Sequence, residues 1–252
     1  MKRSILFYPL FAISLVFTGC CKEKPDVVPG GGSQDLAGAF SVSPIKYVYL
    51  APGNLSEDGH GFVAHQWESG GYFCWEPRTN PEGTSAEQGN IPYVEWGDSV
   101  GGGWRTLTQS EWHYILFDRR NATSKHATGT VNDVHGLLLL PDQWTLPEGC
   151  TFVAGCNGWE ANVYRDSVWV RMEEAGAIFL PAAGWKYLYF LDGSGWYART
   201  DYGENGNYWT SSPHSSIGNE SWTFQFFVDK VRIHENASRE GALTMRLARD
   251  KK

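Results

Sequence analysis

Histidines and acidic residues, the side chains that most often bind metals or move protons, are scattered along this 252-residue chain. Among the seven histidines only His60 and His65 lie close together, beside Glu57 and Asp58. A metal site needs three or four ligands that converge on one point. We therefore interpret this stretch as a surface loop.

Oxygen-bearing side chains cluster at Asp201, Glu204 and Asn205, shortly before Trp209. Carboxylate and amide oxygens are the ligands of calcium, so this segment could wrap a calcium ion. It departs from the EF-hand loop, because Ser212 stands where that loop carries its last glutamate. A calcium site is one hypothesis, and a polar turn that enters a strand is the alternative. We expect no other cofactor.

Cys150 and Cys156 enclose a loop of five residues. A disulfide could close this loop in an oxidising compartment, and two separate buried thiols are the alternative. Cys74 has no evident partner. Its neighbours Phe73 and Trp75 indicate a buried strand rather than the surroundings of a nucleophile.

Two motif-like stretches do not fit the enzymes they suggest. The glycines at 101–103 are not followed by the Lys-Ser/Thr of a phosphate-binding loop. Ser43 and Lys46 have Ser-x-x-Lys spacing, but a proline lies between them where the active motif needs a helix. We expect a protein that is not an enzyme. Glycosidase carboxylates have no fixed spacing, so an enzyme with an unrecognised carboxylate or metal site stays the alternative.

Aromatic side chains are the residues best suited to binding in this chain, which has 12 Trp, 12 Tyr and 13 Phe. Exposed rings hold sugars by stacking, although any single large ring is more often part of a core. The best candidates flank a Gly-rich turn that follows a predicted buried strand. These candidate ligand-binding residues are Trp185, Tyr187, Tyr189, Trp196 and Tyr197.

The first residues predict export and lipidation. Lys2 and Arg3 precede an apolar run over residues 5–17, which is shorter than the about 20 residues of a membrane-spanning helix. Residues 15–20 resemble a bacterial lipobox, in which the cysteine receives diacylglycerol. We expect residues 1–19 to be a lipoprotein signal peptide, cleaved before Cys20, and acyl chains on Cys20 to hold the protein on the lipid bilayer. An ordinary signal peptide is the alternative.

Composition predicts a tether and one domain. Residues 20–35 are charged, then Pro- and Gly-rich, and cannot bury a core, so we expect a flexible tether there. Residues 36–252 contain no second low-complexity stretch and are predicted to be a single domain. The net charge of −7, with no basic run longer than two residues, argues against nucleic acid as a partner.

Hydrophobic patterning predicts two helices and a mostly antiparallel sheet, an α+β fold. The first helix starts with a capping box at Thr108 and Glu111 and turns Trp112, Ile115 and Leu116 to the core. The second covers residues 167–175, with Asp166 or Ser167 as its cap, Trp169 and Met172 in the core and Gly176 after its end. Strands are predicted at 47–50, 137–140, 177–181, 207–210, 222–226, 231–233 and 243–247.

Several blocks resemble a known family. The sequence WRTLTQSEW at 104–112 resembles the RLPTxxEW signature of the Fibrobacter succinogenes major paralogous domain and of the formylglycine-generating-enzyme group. Further blocks follow in the family's order, LPAAG at 180–184, YWTSS at 208–212 and MRL at 245–247, after KYVY at 46–49 and GNL at 53–55. The resemblance covers the chain from about residue 40 to 249.

This resemblance implies a C-type-lectin-like fold with two helices, a twisted sheet that joins the chain ends, and long irregular loops. Such folds bind calcium in loops near the region of Asp201. The catalytic features of the group are missing, because no cysteine follows Cys156 and the chain has no room for the helical domain that carries iron-binding histidines in relatives. The resemblance thus implies fold and compartment, and no catalytic residue.

The predicted function is a non-catalytic, lipid-anchored module of the cell envelope. We expect it at the outer membrane, facing the periplasm or the exterior, where lectin-like loops bind a glycan or an envelope protein. A structural subunit of a surface appendage is a further alternative.

Overall fold

A computed structural model describes residues 38–75, 93–189, 196–214, 216 and 218–252. The fold is mixed α+β with more strand than helix, as the sequence predicts. In the first part of the chain the strands are β1 Phe40–Ser41, β2 Tyr47–Leu50, β3 Phe73–Cys74, β4 Trp104–Thr106, β5 His126–Val131, β6 Val134–Leu139, β7 Val163–Tyr164 and β8 Ile178–Pro181.

The remaining strands and the helices complete the described elements. The later strands are β9 Trp185–Tyr189, β10 Trp196–Thr200, β11 Asn205–Pro213, β12 Glu220–Phe227, β13 Lys230–Ser238, β14 Ala242–Leu243 and β15 Leu247–Asp250. The α-helices are α1 Gly97–Val100, α2 Gln109–His113 and α3 Asp166–Glu174.

The strands form four small sheets with the orders β1-β2-β15-β4, β10-β9-β14-β3, β11-β12-β13 and β7-β5-β6-β8. Among the described strands, β5 and β7 pair in parallel and the other named pairs are antiparallel. In the first sheet β15 pairs with both β2 and β4, placing Ala248 opposite Leu50 and Arg105. An early and a late segment of the sequence therefore share one sheet.

The start of α2 confirms the predicted capping box. The Thr108 hydroxyl accepts a hydrogen bond from the Glu111 N–H at 3.1 Å, and the Glu111 carboxylate accepts one from the Thr108 N–H at 2.9 Å. The helix continues as a π-helical turn, Tyr114–Asp118. Trp112, Ile115 and Leu116 are buried, as the helical spacing predicts.

The second predicted helix is α3. Trp169 and Met172 are fully buried, and Gly176 follows the helix with φ +97°, a conformation that favours glycine. The predicted cap is wrong, because the N-cap residue is Arg165 and its side chain makes no capping bond. Asp166 instead lies in the first turn, where a carboxylate interacts favourably with the helix dipole.

The predicted strand over 243–247 is wrong, since β14 and β15 are separate and residues 244–246 lie between them. The carbonyl of Thr244 accepts a hydrogen bond from Trp209, and that of Met245 accepts one from Leu55. The chain therefore crosses here from one sheet to another. The other predicted strands are confirmed within β2, β6, β8, β11, β12 and β13.

Candidate ligand-binding cleft

Part of the family-like sequence forms an ionic cluster on the first sheet. Arg105 donates to both oxygens of Glu111, at 2.8 and 2.7 Å, and to Asp250 at 2.7 Å, while Lys46 lies 3.4 Å from Glu111. Burial opposes ionisation of Glu111, but the hydrogen bonds from Arg105 and the Thr108 N–H outweigh burial and lower its pKa. This cluster joins β4, α2 and β15, which is a structural role.

Other family-like residues meet in a buried polar network. Arg246 is fully buried and donates to Asn54 Oδ1, to Ala51 O and to Phe179 O, at 2.7–2.9 Å. Burial lowers the pKa of Arg246 to about 10. Asn54 also donates to the Tyr208 hydroxyl at 3.3 Å. These contacts satisfy polar groups inside the core, which is a structural role.

A cleft of about 630 Å³ opens beside this network. Such a volume is within the range of small-molecule sites. Among the described residues, three aromatic rings and three charged side chains line it, and we name it the aromatic cleft after them: Glu57, Trp67, Glu68, Tyr72, Lys186 and Tyr202.

Buried hydrogen bonds fix the loop that carries Trp67. Its neighbour Gln66 is 1% exposed, donates to Glu173 Oε1 at 2.8 Å and to Ala177 O at 3.2 Å, and accepts from the Phe179 N–H at 2.6 Å. The Ser69 carbonyl accepts from Asn54 and from Thr244, both at 2.9 Å. The loop is thus attached to the core on both sides of Trp67.

The next residues of this loop are fixed as well. Gly70 has φ +71° and lies so close to the Leu55 carbonyl that a Cβ would collide with it. The Tyr72 hydroxyl donates to the Ala183 carbonyl at 2.5 Å. Anchored in this way, the cleft wall is preorganised, which lowers the entropic cost of binding a ligand.

The rings of the cleft already take part in stacking and cation–π contacts. Trp67 is stacked on His65, with ring centroids 4.4 Å apart and planes 7° apart. The Lys186 ammonium lies 4.4 Å from the centroid of the Tyr72 ring. Tyr202 is 47% exposed. Aromatic surface and a fixed cation therefore share one cleft.

Glu57 and Glu68 give the cleft its negative charge. Both side chains are exposed. Within the described ranges, neither carboxylate forms an ion pair, and neither pairs with Lys186. Exposed carboxylates of this kind can accept hydrogen bonds from a ligand.

No family model, curated protein or solved structure matches this chain. The family resemblance accordingly rests on the sequence blocks alone.

Of the predicted ligand-binding residues, Trp185 has a described side chain, and it lies next to the aromatic cleft. Trp185 directly precedes Lys186, is half-buried against a core cluster and donates its indole N–H to Asp201 at 3.1 Å. The backbones of β9 and β10 form a hairpin in which Trp196 lies opposite Tyr189. The side chains predicted to bind ligand at Tyr187, Tyr189, Trp196 and Tyr197 lie outside the described residues.

Sequence reasoning missed most of the cleft. Trp67 belongs to the aromatic residues of loop-like stretches, but Tyr72, Lys186 and Tyr202 come from three separate segments. A local signal does exist at Gly70 and Gly71, since two glycines after an aromatic residue and a carboxylate indicate a tight turn that presents both.

The predicted calcium segment forms a turn. Asp201 has φ +57°, and its carbonyl accepts from the N–H groups of Glu204 and Asn205 at 3.1 and 3.3 Å. The Asn205 side-chain oxygen accepts from Asn207, and one Asp201 oxygen accepts from Trp185. This is a polar turn entering β11, the alternative considered above, and calcium binding there stays a prediction. The described residues contain no group of three or more His, Cys, Asp or Glu side chains placed to hold a metal.

Of the two alternatives considered for Cys150 and Cys156, a disulfide or two separate thiols, the structure has two free thiols. Cys150 packs in the cluster around α3, whereas Cys156 packs against a different cluster. Burial, with Asp229 nearby, raises the pKa of Cys156 to about 11.

Residues 1–37, with the predicted signal peptide, tether and Cys20, lie outside the described residues. Among the helices that are described, none has the length and apolar character needed to cross a membrane.

Proposed function

We propose that this protein is an exported lipoprotein that binds glycans in the aromatic cleft. The observation that carries the proposal is the combination of Trp67, Tyr72 and Tyr202 with the carboxylates of Glu57 and Glu68 in one preorganised cleft. Aromatic rings stack on the apolar faces of sugar rings, and carboxylates accept hydrogen bonds from their hydroxyls. Both kinds of contact are available side by side here.

The cellular setting is part of the proposal. Lys2 and Arg3, the short apolar run and the lipobox-like residues 15–20 support export and acylation of Cys20. The anchored domain would stand off the outer membrane on the segment 20–35. We also propose a C-type-lectin-like fold in the family named above, supported by the ordered sequence blocks and by the pairing of β2 with β15.

Glycan screening of the full chain, purified in detergent, tests the binding function. Tyr202→Ala removes an exposed ring from the cleft, and we expect it to weaken binding roughly ten-fold through lost stacking. Tyr47→Ala is the matched control, because Tyr47 is 40% exposed on β2 and lies outside the cleft. Binding of an envelope protein with no binding of any glycan would overturn the proposal, as would equal glycan binding by both variants.

Metabolic labelling with palmitate tests the anchor. Label should enter the wild-type chain and be lost in Cys20→Phe, a bulky substitution that leaves Cys21 without a small residue before it. The neighbouring variant Cys21→Ala is the matched control and should keep the label, because the residue before Cys21 is not small. Incorporation that persists in Cys20→Phe would show that the anchor is placed wrongly.

A further inference from the structure

We infer that the aromatic cleft selects glycans that carry a protonated amine. The inference rests on the proposed glycan-binding function and names the class of ligand within it. It is carried by three features of the cleft: two carboxylates that form no ion pair within the described part of the chain, three aromatic rings, and an ammonium group held over one of the rings.

The carboxylates of the cleft favour a positively charged ligand over a negatively charged one. Among the described lining residues, Glu57 and Glu68 supply two negative charges and Lys186 supplies one positive charge. The whole chain adds to this field, because its net charge is −7. A sugar acid would meet repulsion in the cleft, whereas a sugar amine would meet two acceptors for charge-assisted hydrogen bonds.

The rings favour the same ligand. The Lys186 ammonium lies over the Tyr72 ring, 4.4 Å from the ring centroid, in a cation–π contact. The wall of the cleft thus already binds one cation on the face of an aromatic ring. A ligand amine could use the same chemistry on the exposed part of Tyr202 or on Trp67. Glu57 and Glu68, which line the same cleft, add acceptors for charge-assisted hydrogen bonds from the amine.

Lys186 limits this selectivity. Its ammonium occupies the Tyr72 face and repels a second cation in the same cleft. Removing that charge while keeping an unbranched side chain, as in Lys186→Met, should therefore tighten the binding of an amine. A gain of affinity is a sharp test, since a misfolded variant would not show it.

The experiment compares two oligosaccharides that differ in the amine alone. Glucosamine oligomers with free amines and the same oligomers in N-acetylated form are titrated against the full chain in detergent, in buffer acidic enough to protonate the amine. We expect the free-amine oligomer to bind roughly five-fold more tightly, the effect of about one exposed charge-assisted contact.

Variants assign the preference to the cleft. Glu57→Gln and Glu68→Gln should each remove most of the five-fold preference and leave binding of the acetylated oligomer nearly unchanged. Lys186→Met should increase the preference for the free-amine oligomer by a similar factor. Glu174→Gln is the control, because Glu174 is exposed on α3 outside the cleft and should keep the wild-type preference.

The outcomes separate this inference from the function on which it rests. Equal binding of the two oligomers, or tighter binding of the acetylated form, would overturn amine selectivity and leave glycan binding standing. Amine selectivity of the cleft would also be overturned if Glu57→Gln and Glu68→Gln both kept the wild-type preference for the free-amine oligomer. If the screen finds other glycans but neither oligomer, the selectivity also falls. Absence of binding to every glycan would overturn both.

Discussion

At the scale of single residues, Glu111 combines three structural contacts in one carboxylate. It caps α2 through the Thr108 N–H and receives both guanidinium nitrogens of Arg105. Its side chain is 13% exposed, so these charge-assisted bonds act in a partly desolvated setting. The carboxylate is therefore more stable ionised in the folded state than in the unfolded chain.

Glu111→Gln tests this linkage. The pKa of Glu111 is lowered in the fold, so its contribution is present above its ordinary value of 4.5 and is lost as pH falls through the lowered pKa. We expect the variant to lose about 2 kcal/mol of unfolding free energy at about pH 7, and the difference from wild type to shrink well below pH 4.5.

Urea unfolding across this pH range measures the effect. Glu235→Gln is the control, because Glu235 pairs with Arg232 in an exposed i,i+3 salt bridge at 2.8 Å. Such a pair contributes little, so the control should differ from wild type by less than about 1 kcal/mol at any pH. A Glu111 variant with a difference that does not change with pH would contradict the linkage.

At the scale of elements, the loop of Trp67 and Tyr72 shows how the fold shapes the cleft. The loop depends on Gly70, where a positive φ and the close Leu55 carbonyl both exclude a side chain. Gly70→Ala should cost about 3 kcal/mol of stability, since strain at positive φ adds to a steric collision. It should also weaken glycan binding, because the loop must move.

Gly103→Ala is the matched comparison. Gly103 has φ +75°, but a Cβ there would meet nothing within 4 Å. It should cost about 1 kcal/mol, the backbone strain alone, and leave glycan binding intact. Thermal melts and titrations of both variants check this, and equal effects on binding would mean that the Gly70 loop does not position the cleft.

Local sequence patterns predicted some secondary-structure elements and not others. The capping box of Thr108 and the buried faces of α2 and α3 depend on neighbours within a few residues, so spacing was sufficient. The break between β14 and β15 could not be predicted, because it depends on hydrogen bonds from Trp209 and Leu55, distant in sequence. The aromatic cleft is still harder to predict from sequence. Its loop with Trp67 and Tyr72, its strand residue Lys186 and its turn residue Tyr202 are brought together by the tertiary fold.

At the scale of the whole molecule, the first sheet closes the fold by pairing distant parts of the chain. β15 lies between β2 and β4, and both Leu247 and Ala248 are fully buried. Asp250 adds the ionic contact to Arg105. These contacts join segments that are far apart in the sequence and hold the early segment in place. Stability should therefore depend strongly on the last strand.

Truncation tests this dependence. A chain ending at Arg246 lacks β15, leaves β2 and β4 without their shared partner, and exposes the apolar surface that Leu247 and Ala248 cover. We expect it to lose cooperative unfolding and glycan binding together, as measured by thermal circular dichroism and titration. A chain ending at Asp250 keeps β15 and loses two exposed lysines, Lys251 and Lys252, so it should melt cooperatively and bind like wild type. Cooperative melting of the shorter chain would show that the remaining sheets fold without this closure.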